Sequence, residues 1–208
     1  SLKEHKINNH DRFDWYYFTD NNNIKSDQYK IMYVKGQYNK RIYDVKYYKM
    51  QLHKESMFDK YDYVICMDAS IIIENINFVD DISKMLGREP NMIVFSHPNR
   101  NKVIDEVAVL KKIWKFKDQD FEKQYNTYLE EGFKDDCGLY ASGFFVRKMN
   151  DVIIDKLFDD WFSEVIKHTY RDQVSFPYVL WKNRIEHDVI IKENIFNNKL
   201  VGKVIKHL

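Results

Sequence analysis

The 208-residue sequence predicts an α/β fold in a single domain. Three observations predict it. Short runs of β-branched and aromatic residues alternate with amphipathic stretches along the chain. One run, Tyr63-Val64-Ile65-Cys66-Met67, passes straight into Asp68, the pattern of a buried strand that delivers a carboxylate to the carboxyl edge of a sheet. Hydrophobic content of 44% beside 31% charged residues is enough to build a packed core.

Taken in order, residues 13–19 read as a strand, followed by a turn at Asp20-Asn21-Asn22-Asn23. Residues 29–34 are a second strand. Residues 44–58 have helical spacing, with Val45, Tyr48, Leu52 and Met57 near one stripe. Residues 62–67 are the Asp68 strand, and Ile71-Ile72-Ile73 is another apolar run. A helix over 77–86 ends at Gly87, and 92–96 is a strand. Residues 105–116 and 120–131 read as helices, the second stopped by Gly132. Residues 139–146 are strand-like. Asn150 or Asp151 caps a long amphipathic helix through Lys167. Residues 172–181 form a helix, where Pro177 suits only the first turn or a kink, and 189–192 are a late strand.

Charge and cysteine usage narrow the function. With 33 basic and 32 acidic residues the net charge is +1, which argues against a nucleic-acid binder with a concentrated basic face. Cys66 and Cys137 are far apart, so no disulfide and a reducing, cytoplasmic setting are expected. No apolar run is long enough for a membrane span. Gly-x-Gly-x-x-Gly, Walker-type, Cys-x-x-Cys and Gly-x-Ser-x-Gly motifs are all absent from the sequence.

Four clusters carry chemistry. Asp68 can supply a hard oxygen to a divalent cation or cap a turn; Ser70 can add a weak ligand or a hydrogen bond to phosphate or ribose. In His97-Pro98-Asn99-Arg100, Arg100 can grip phosphate or carboxylate and His97 can donate to a sugar hydroxyl. Asp105 and Glu106, which follow, suit the first turn of a helix on dipole grounds alone. Asp172 in Tyr170-Arg171-Asp172-Gln173 is a general-base candidate or an N-terminal cap. Lys46, Lys49 and His53 share a helical face, either a diphosphate-neutralising one or a solvated one.

Together the segments resemble glycosyltransferase-like domains of the TOD/MUCI type, which have plant, bacterial polysaccharide and large-virus members. The resemblance rests on Phe18-Thr19-Asp20-Asn21 with Ile24-Lys25-Ser26-Asp27, on Tyr47-Tyr48-Lys49 with Leu52-His53, and on Met67-Asp68-Ala69-Ser70-Ile71. It also rests on His97-Pro98-Asn99-Arg100 through Asp105-Glu106 and, most specifically, on Arg171-Asp172-Gln173-Val174-Ser175-Phe176. It spans roughly residues 13–182. The resemblance implies a GT-A-like, Rossmann-like α/β/α domain with a central, mostly parallel mixed sheet. Thr19 and Asp20 would lie near the nucleoside and Lys49 near the diphosphate. Asp68 and Ser70 would lie near metal, ribose or phosphate, and Arg171-Asp172-Gln173 at the helix start that carries the base.

Two departures from the family pattern stand out. Residues 1–9 hold nothing like the family's opening strand and loop, so a first strand is missing, truncated or rebuilt. Ser70 stands where a full Asp-x-Asp would have its second carboxylate. The expectation is an inverting glycosyltransferase that moves a sugar from a nucleotide-diphosphate sugar, a UDP-sugar, to a glycan or glycoconjugate. Asp172 is its base, Mn²⁺ or Mg²⁺ sits at Asp68 and Ser70, and Lys46, Lys49, His97 and Arg100 handle the donor. Gly138, Ser142, Asp105, Glu106, Arg171 and Gln173 stand around it and on the acceptor side. The alternatives are a non-catalytic nucleotide- or glycan-binding relative and a metal-dependent phosphodiester or nucleotide hydrolase built on Asp68, Asp105 and Asp172.

Overall fold

A computed structural model describes residues 4–185, 189–191, 193 and 195–204. The chain opens with strands β1 (Tyr16–Thr19) and β2 (Lys30–Tyr33), which pair in parallel as a ribbon of their own. Helix α1 (Arg41–Met50) leads through two short 3-10 turns into β3 (Tyr63–Met67) and β4 (Ile71–Ile73). Then come α2 (Phe78–Leu86), β5 (Met92–Ser96), α3 (Val103–Leu110), α4 (Phe121–Glu130), β6 (Tyr140–Lys148), α5 (Val152–Lys167) and α6 (Asp172–Asn183). The last strands are β7 (Val189–Ile191), β8 (Asn197–Asn198) and β9 (Gly202–Val204).

The central sheet has the order β3-β6-β5-β7, and a second sheet has the order β4-β9-β8. In the central sheet β6 runs antiparallel to both neighbours and only β5 and β7 are parallel. The fold is α/β with mixed sheets, but the mostly parallel central sheet expected from the sequence is not what forms. The physical reason is β6: it is nine residues long and enters the middle of the sheet against the direction of β3 and β5.

Alternation along the strands explains why both faces of this sheet are covered. Met92 and Val94 of β5, with Tyr140 and Phe145 of β6, pack into one core with Leu110, Tyr128, Phe158, Trp161 and Val179 from α3 to α6. Ile93, Phe95, Phe144 and Val146 point the other way and meet Ile71, Ile73, Phe78 and Ile82 from β4 and α2. A smaller cluster of Leu52, Phe58 and Met149 ties Tyr16 and Phe18 of the β1–β2 ribbon to the body.

Several expected boundaries shift. The helix expected over 44–58 starts earlier, at Arg41, and stops at Met50; His53 lies beyond it in a 3-10 turn. Asp151 caps α5 by accepting from the Ile153 and Ile154 amides, and Asp120 caps α4 through the Lys123 amide. Pro177 sits inside α6. Gly132, at φ 96°, closes the α4 region as a left-handed glycine can, whereas Gly87, at φ −62°, ends α2 without that geometry. Residue 192, the last of the expected late strand, lies outside the described residues. Residues 4–9 form no strand. Instead His5 inserts its ring beside Trp15 and Tyr29 and accepts from the Ile73 amide through Nδ1 at 3.1 Å. Cys66 and Cys137 are free thiols, and no helix among the described residues is long and apolar enough to cross a membrane.

Candidate functional site

The site begins with the spacing of two lysines. Lys46 and Lys49 are three apart on α1, so their side chains leave the helix on one face. That face is not solvated: it packs toward the N-terminus of α6, whose first residue is Asp172. Lys46 Nζ lies 2.6 Å and Lys49 Nζ 2.9 Å from Oδ2 of Asp172. Asp172 is 2% exposed. Its backbone is pinned from α5, where the Trp161 indole donates to the Asp172 carbonyl at 3.0 Å.

Lys49 also reaches Oδ1 of Asp68 at 3.4 Å. Asp68 follows β3, and its amide donates to the Gly143 carbonyl of β6 at 2.7 Å. A Cβ on Gly143 would lie 3.2 Å from Asp68 Oδ2, so the glycine leaves that oxygen open. The Asp68 side chain is 52% exposed. The result is a chain of charges running from an open carboxylate, through a shared ammonium, to a sealed carboxylate.

Burial acts on each member differently. It would raise the carboxyl of Asp172, but Lys46 and Lys49 outweigh it and hold the group far below the ordinary carboxylate range. Burial lowers Lys46 below its ordinary value. For Lys49 burial acts the same way, but Asp172 and then Asp68 overcome it and raise the ammonium above its ordinary value. Burial pushes the Cys66 thiol beside Lys49 up to about 11, so it stays a thiol at neutral pH.

Thr19, Asp20, Lys46, Lys49, Asp68 and Ser70 all line one cavity of about 1300 Å³ between the β1–β2 ribbon and the open edge of β3. Asp172 is not among its lining residues; it lies behind the two lysines. At the cavity's β1 end, Thr19 accepts from the Asn21 amide at 3.1 Å and Asp20 pairs with Arg41 at 2.5 Å. The walls there are aromatic, with Phe18 stacked on Tyr48 at 4.8 Å.

His97, Arg100, Glu106 and Arg171 form a second cluster. Glu106 on α3 is fully buried, and Arg100 reaches its Oε2 at 2.6 Å. Arg171 reaches Oε1 at 3.2 Å, and His97 Nε2 lies 3.7 Å from Oε2. His97 accepts from the Arg100 amide at its Nδ1. Arg171 directly precedes Asp172, so Glu106 sets the approach to α6. Gln173 is buried and donates to the Tyr140 carbonyl at 3.1 Å. Ser142 is buried on β6; Gly138, at φ 85°, sits where a Cβ would press on the Tyr140 hydroxyl. Asp105 is exposed on α3 and joins no cluster.

Sequence reasoning grouped His53 with the lysines, but it faces elsewhere, toward Asp159 at 3.1 Å and the buried Arg147 at 3.3 Å. It also missed Asp135 and Gly143. Asp135 accepts from the Val103 and Ile104 amides and so fixes the start of the helix that carries Glu106. A carboxylate capping a helix 32 positions upstream leaves no local pattern in the sequence.

The described residues do not by themselves cage a Mn²⁺ or Mg²⁺ ion. In nucleotide sites such an ion is held by one or two carboxylates together with substrate phosphates and water. Here Asp68 could supply one such oxygen through Oδ2, while Lys49 lies 3.4 Å from its Oδ1; Asp20, which also lines the cavity, pairs with Arg41. Among the described residues no group of three or more His, Cys, Asp or Glu side chains could hold a metal. The hydrolase alternative, which joins Asp68, Asp105 and Asp172 around an ion, has no such cluster either.

Residues 16–208 match the model of the TOD1/MUCI70 glycosyltransferase-like domain. The chain belongs to that family. No curated protein matches it. Membership in the TOD1/MUCI70 family agrees with the resemblance read from the "HPNR" and "RDQVSF" segments, and it implies sugar substrates.

One pH effect arises from the buried rings. Burial lowers both His5 and His97 to about 4. For His97 the nearby Glu106 raises the ring, but Arg100 and Arg171 oppose it. Both groups bind protons more tightly in the unfolded chain, so their contribution to stability is complete above about pH 6.5 and is lost as the pH falls toward 4. About 1–3 kcal/mol per ring is expected to disappear across that window. Thermal melts at pH 7, 6, 5 and 4.5 check this, and a flat midpoint would refute it.

Proposed function

We propose that this protein is a glycosyltransferase with a GT-A-like fold that moves a sugar from a nucleotide-diphosphate sugar, a UDP-sugar, to a hydroxyl of a glycan or glycoconjugate. The observation that carries this reading is one cavity in which an aromatic end adjoins two buried lysines, with an acid behind them. A diphosphate sugar needs those features in that order: a flat seat for a base, cations for the diphosphate and a carboxylate near the sugar carbon.

In the inverting version the acceptor oxygen attacks the anomeric carbon and Asp172 takes its proton. The bond from that carbon to the diphosphate oxygen breaks, and the nucleoside diphosphate leaves against Lys46 and Lys49. Arg100, His97 and Arg171 orient the groups around Asp172, with Gln173, Gly138 and Ser142 on the acceptor side. No step in this scheme uses a metal ion.

The ion pairs of Asp172 favour a second reading. A carboxylate held by two lysines accepts a proton poorly. If it stays paired, Asp172 is a positioning residue and an oxygen of the leaving diphosphate takes the proton, with retention at the anomeric carbon.

The experiment is incubation with a panel of nucleotide sugars, with and without Mn²⁺, followed by proton NMR of the products. Slow release of nucleotide and free sugar from one donor is the expected result, and the anomeric configuration of the first-formed sugar separates the two versions. Binding of no donor would remove the transferase reading. Hydrolysis of plain nucleotides irrespective of the sugar would favour a hydrolase.

A further inference from the structure

We propose that the donor's diphosphate displaces Asp172 from Lys46 and Lys49, so that donor binding both neutralises the diphosphate and releases the acid. This rests on the transferase reading above and deepens it.

The lysines stand between two places. They line the cavity on one side and hold Asp172 on the other. Two ammoniums face two carboxylates, Asp172 and Asp68, so the resting cluster has no surplus positive charge. A dianionic diphosphate gains little from a neutral cluster unless a carboxylate gives up its partners. Asp68, half exposed, can turn toward solvent; Asp172 cannot. Each ammonium has three donors on a flexible stem, and Lys49 is already shared between two acids. Transfer of those donors to phosphate oxygens requires only a swing of the side chains within the cavity wall.

The swing opens Asp172 toward the cavity that the lysines had screened and draws its counter-charges away. Around it stand Lys46 and Lys49 from α1, Arg171 on its own segment and the Trp161 indole from α5, with Asp68 and Cys66 beyond Lys49 on the β3 side. An unpaired buried carboxylate takes up a proton readily. The acid thus becomes a base only when the donor is in place, which keeps water from being activated in an empty site.

The test uses uridine diphosphate as probe, in EDTA, by titration calorimetry. Wild type is expected to bind, and Lys46→Met to bind at least tenfold more weakly. The decisive variant is Asp172→Asn, which keeps the shape and one acceptor oxygen but, having no charge, competes only weakly for the lysines. It is expected to bind the probe roughly tenfold tighter. If Asp172 merely props the lysines in position, the same variant binds equally or more weakly, which overturns the exchange while the transferase reading survives. If neither wild type nor variant binds uridine diphosphate, both fall. Should Asp172→Asn fail to fold by circular dichroism, wild type is titrated in two buffers of different ionisation heat. Net proton uptake on binding supports the exchange, and none overturns it.

Discussion

Replacing Asp172 with Asn is expected to lower turnover by about 10²–10⁴-fold while the fold persists, as loss of a general base does. The side chain is almost completely buried, and asparagine fits the same volume. Its amide can still accept from Lys46 and Lys49 through one oxygen, so α1 and α6 keep their contact. What it cannot do is take the acceptor's proton. The expected split is a large fall in kcat with an unchanged or lower KM for the donor. The carboxylate also carries stability. Its group titrates far below the ordinary range in the folded state, so its contribution is complete above about pH 5 and is lost only as the pH drops below the unfolded carboxylate value. The acid side of the unfolding curve should therefore flatten in the variant. Turnover within a few-fold of wild type would remove Asp172 as base and leave the retaining version, in which the leaving diphosphate does that work.

Much of this arrangement is legible in the sequence because the physics behind it is local. The strand into Asp68 is readable because five mostly apolar residues precede a charge, and β3 (Tyr63–Met67) forms there. The i, i+3 spacing of Lys46 and Lys49 puts them on one face whatever the fold around them. Which way that face points is a tertiary fact. On spacing alone a basic helix face reads as solvated, and only packing against α6 buries it against an acid 126 positions downstream of Lys46. The direction of β6 is hidden for the same reason: side-chain alternation is identical in parallel and antiparallel strands, so the sequence cannot distinguish them there. Gly143 is unreadable as a site residue because its role is to have no Cβ near Asp68.

Asp105 and Glu106 bring this limit to a measurement. They are neighbours in the first turn of α3, and in the sequence both suit the helix dipole equally. Consecutive helical residues face about 100° apart, so one packing decision separates them completely. Asp105 is exposed, whereas Glu106 is fully buried between Arg100, Arg171 and His97. Asp105→Asn is expected to change stability by no more than about 0.5 kcal/mol. Glu106→Gln leaves Arg100 and Arg171 facing one another without their shared anion and is expected to cost about 3–5 kcal/mol, read as a fall in the urea midpoint at unchanged slope. Because Arg171 precedes Asp172 directly, the same variant should also disturb the acid's alignment. At a temperature where it is still folded, kcat should fall more than donor affinity does. Equal and small effects from the two substitutions would mean that Glu106 is no more than another first-turn acid, and that the approach to α6 is set by something other than its two arginines.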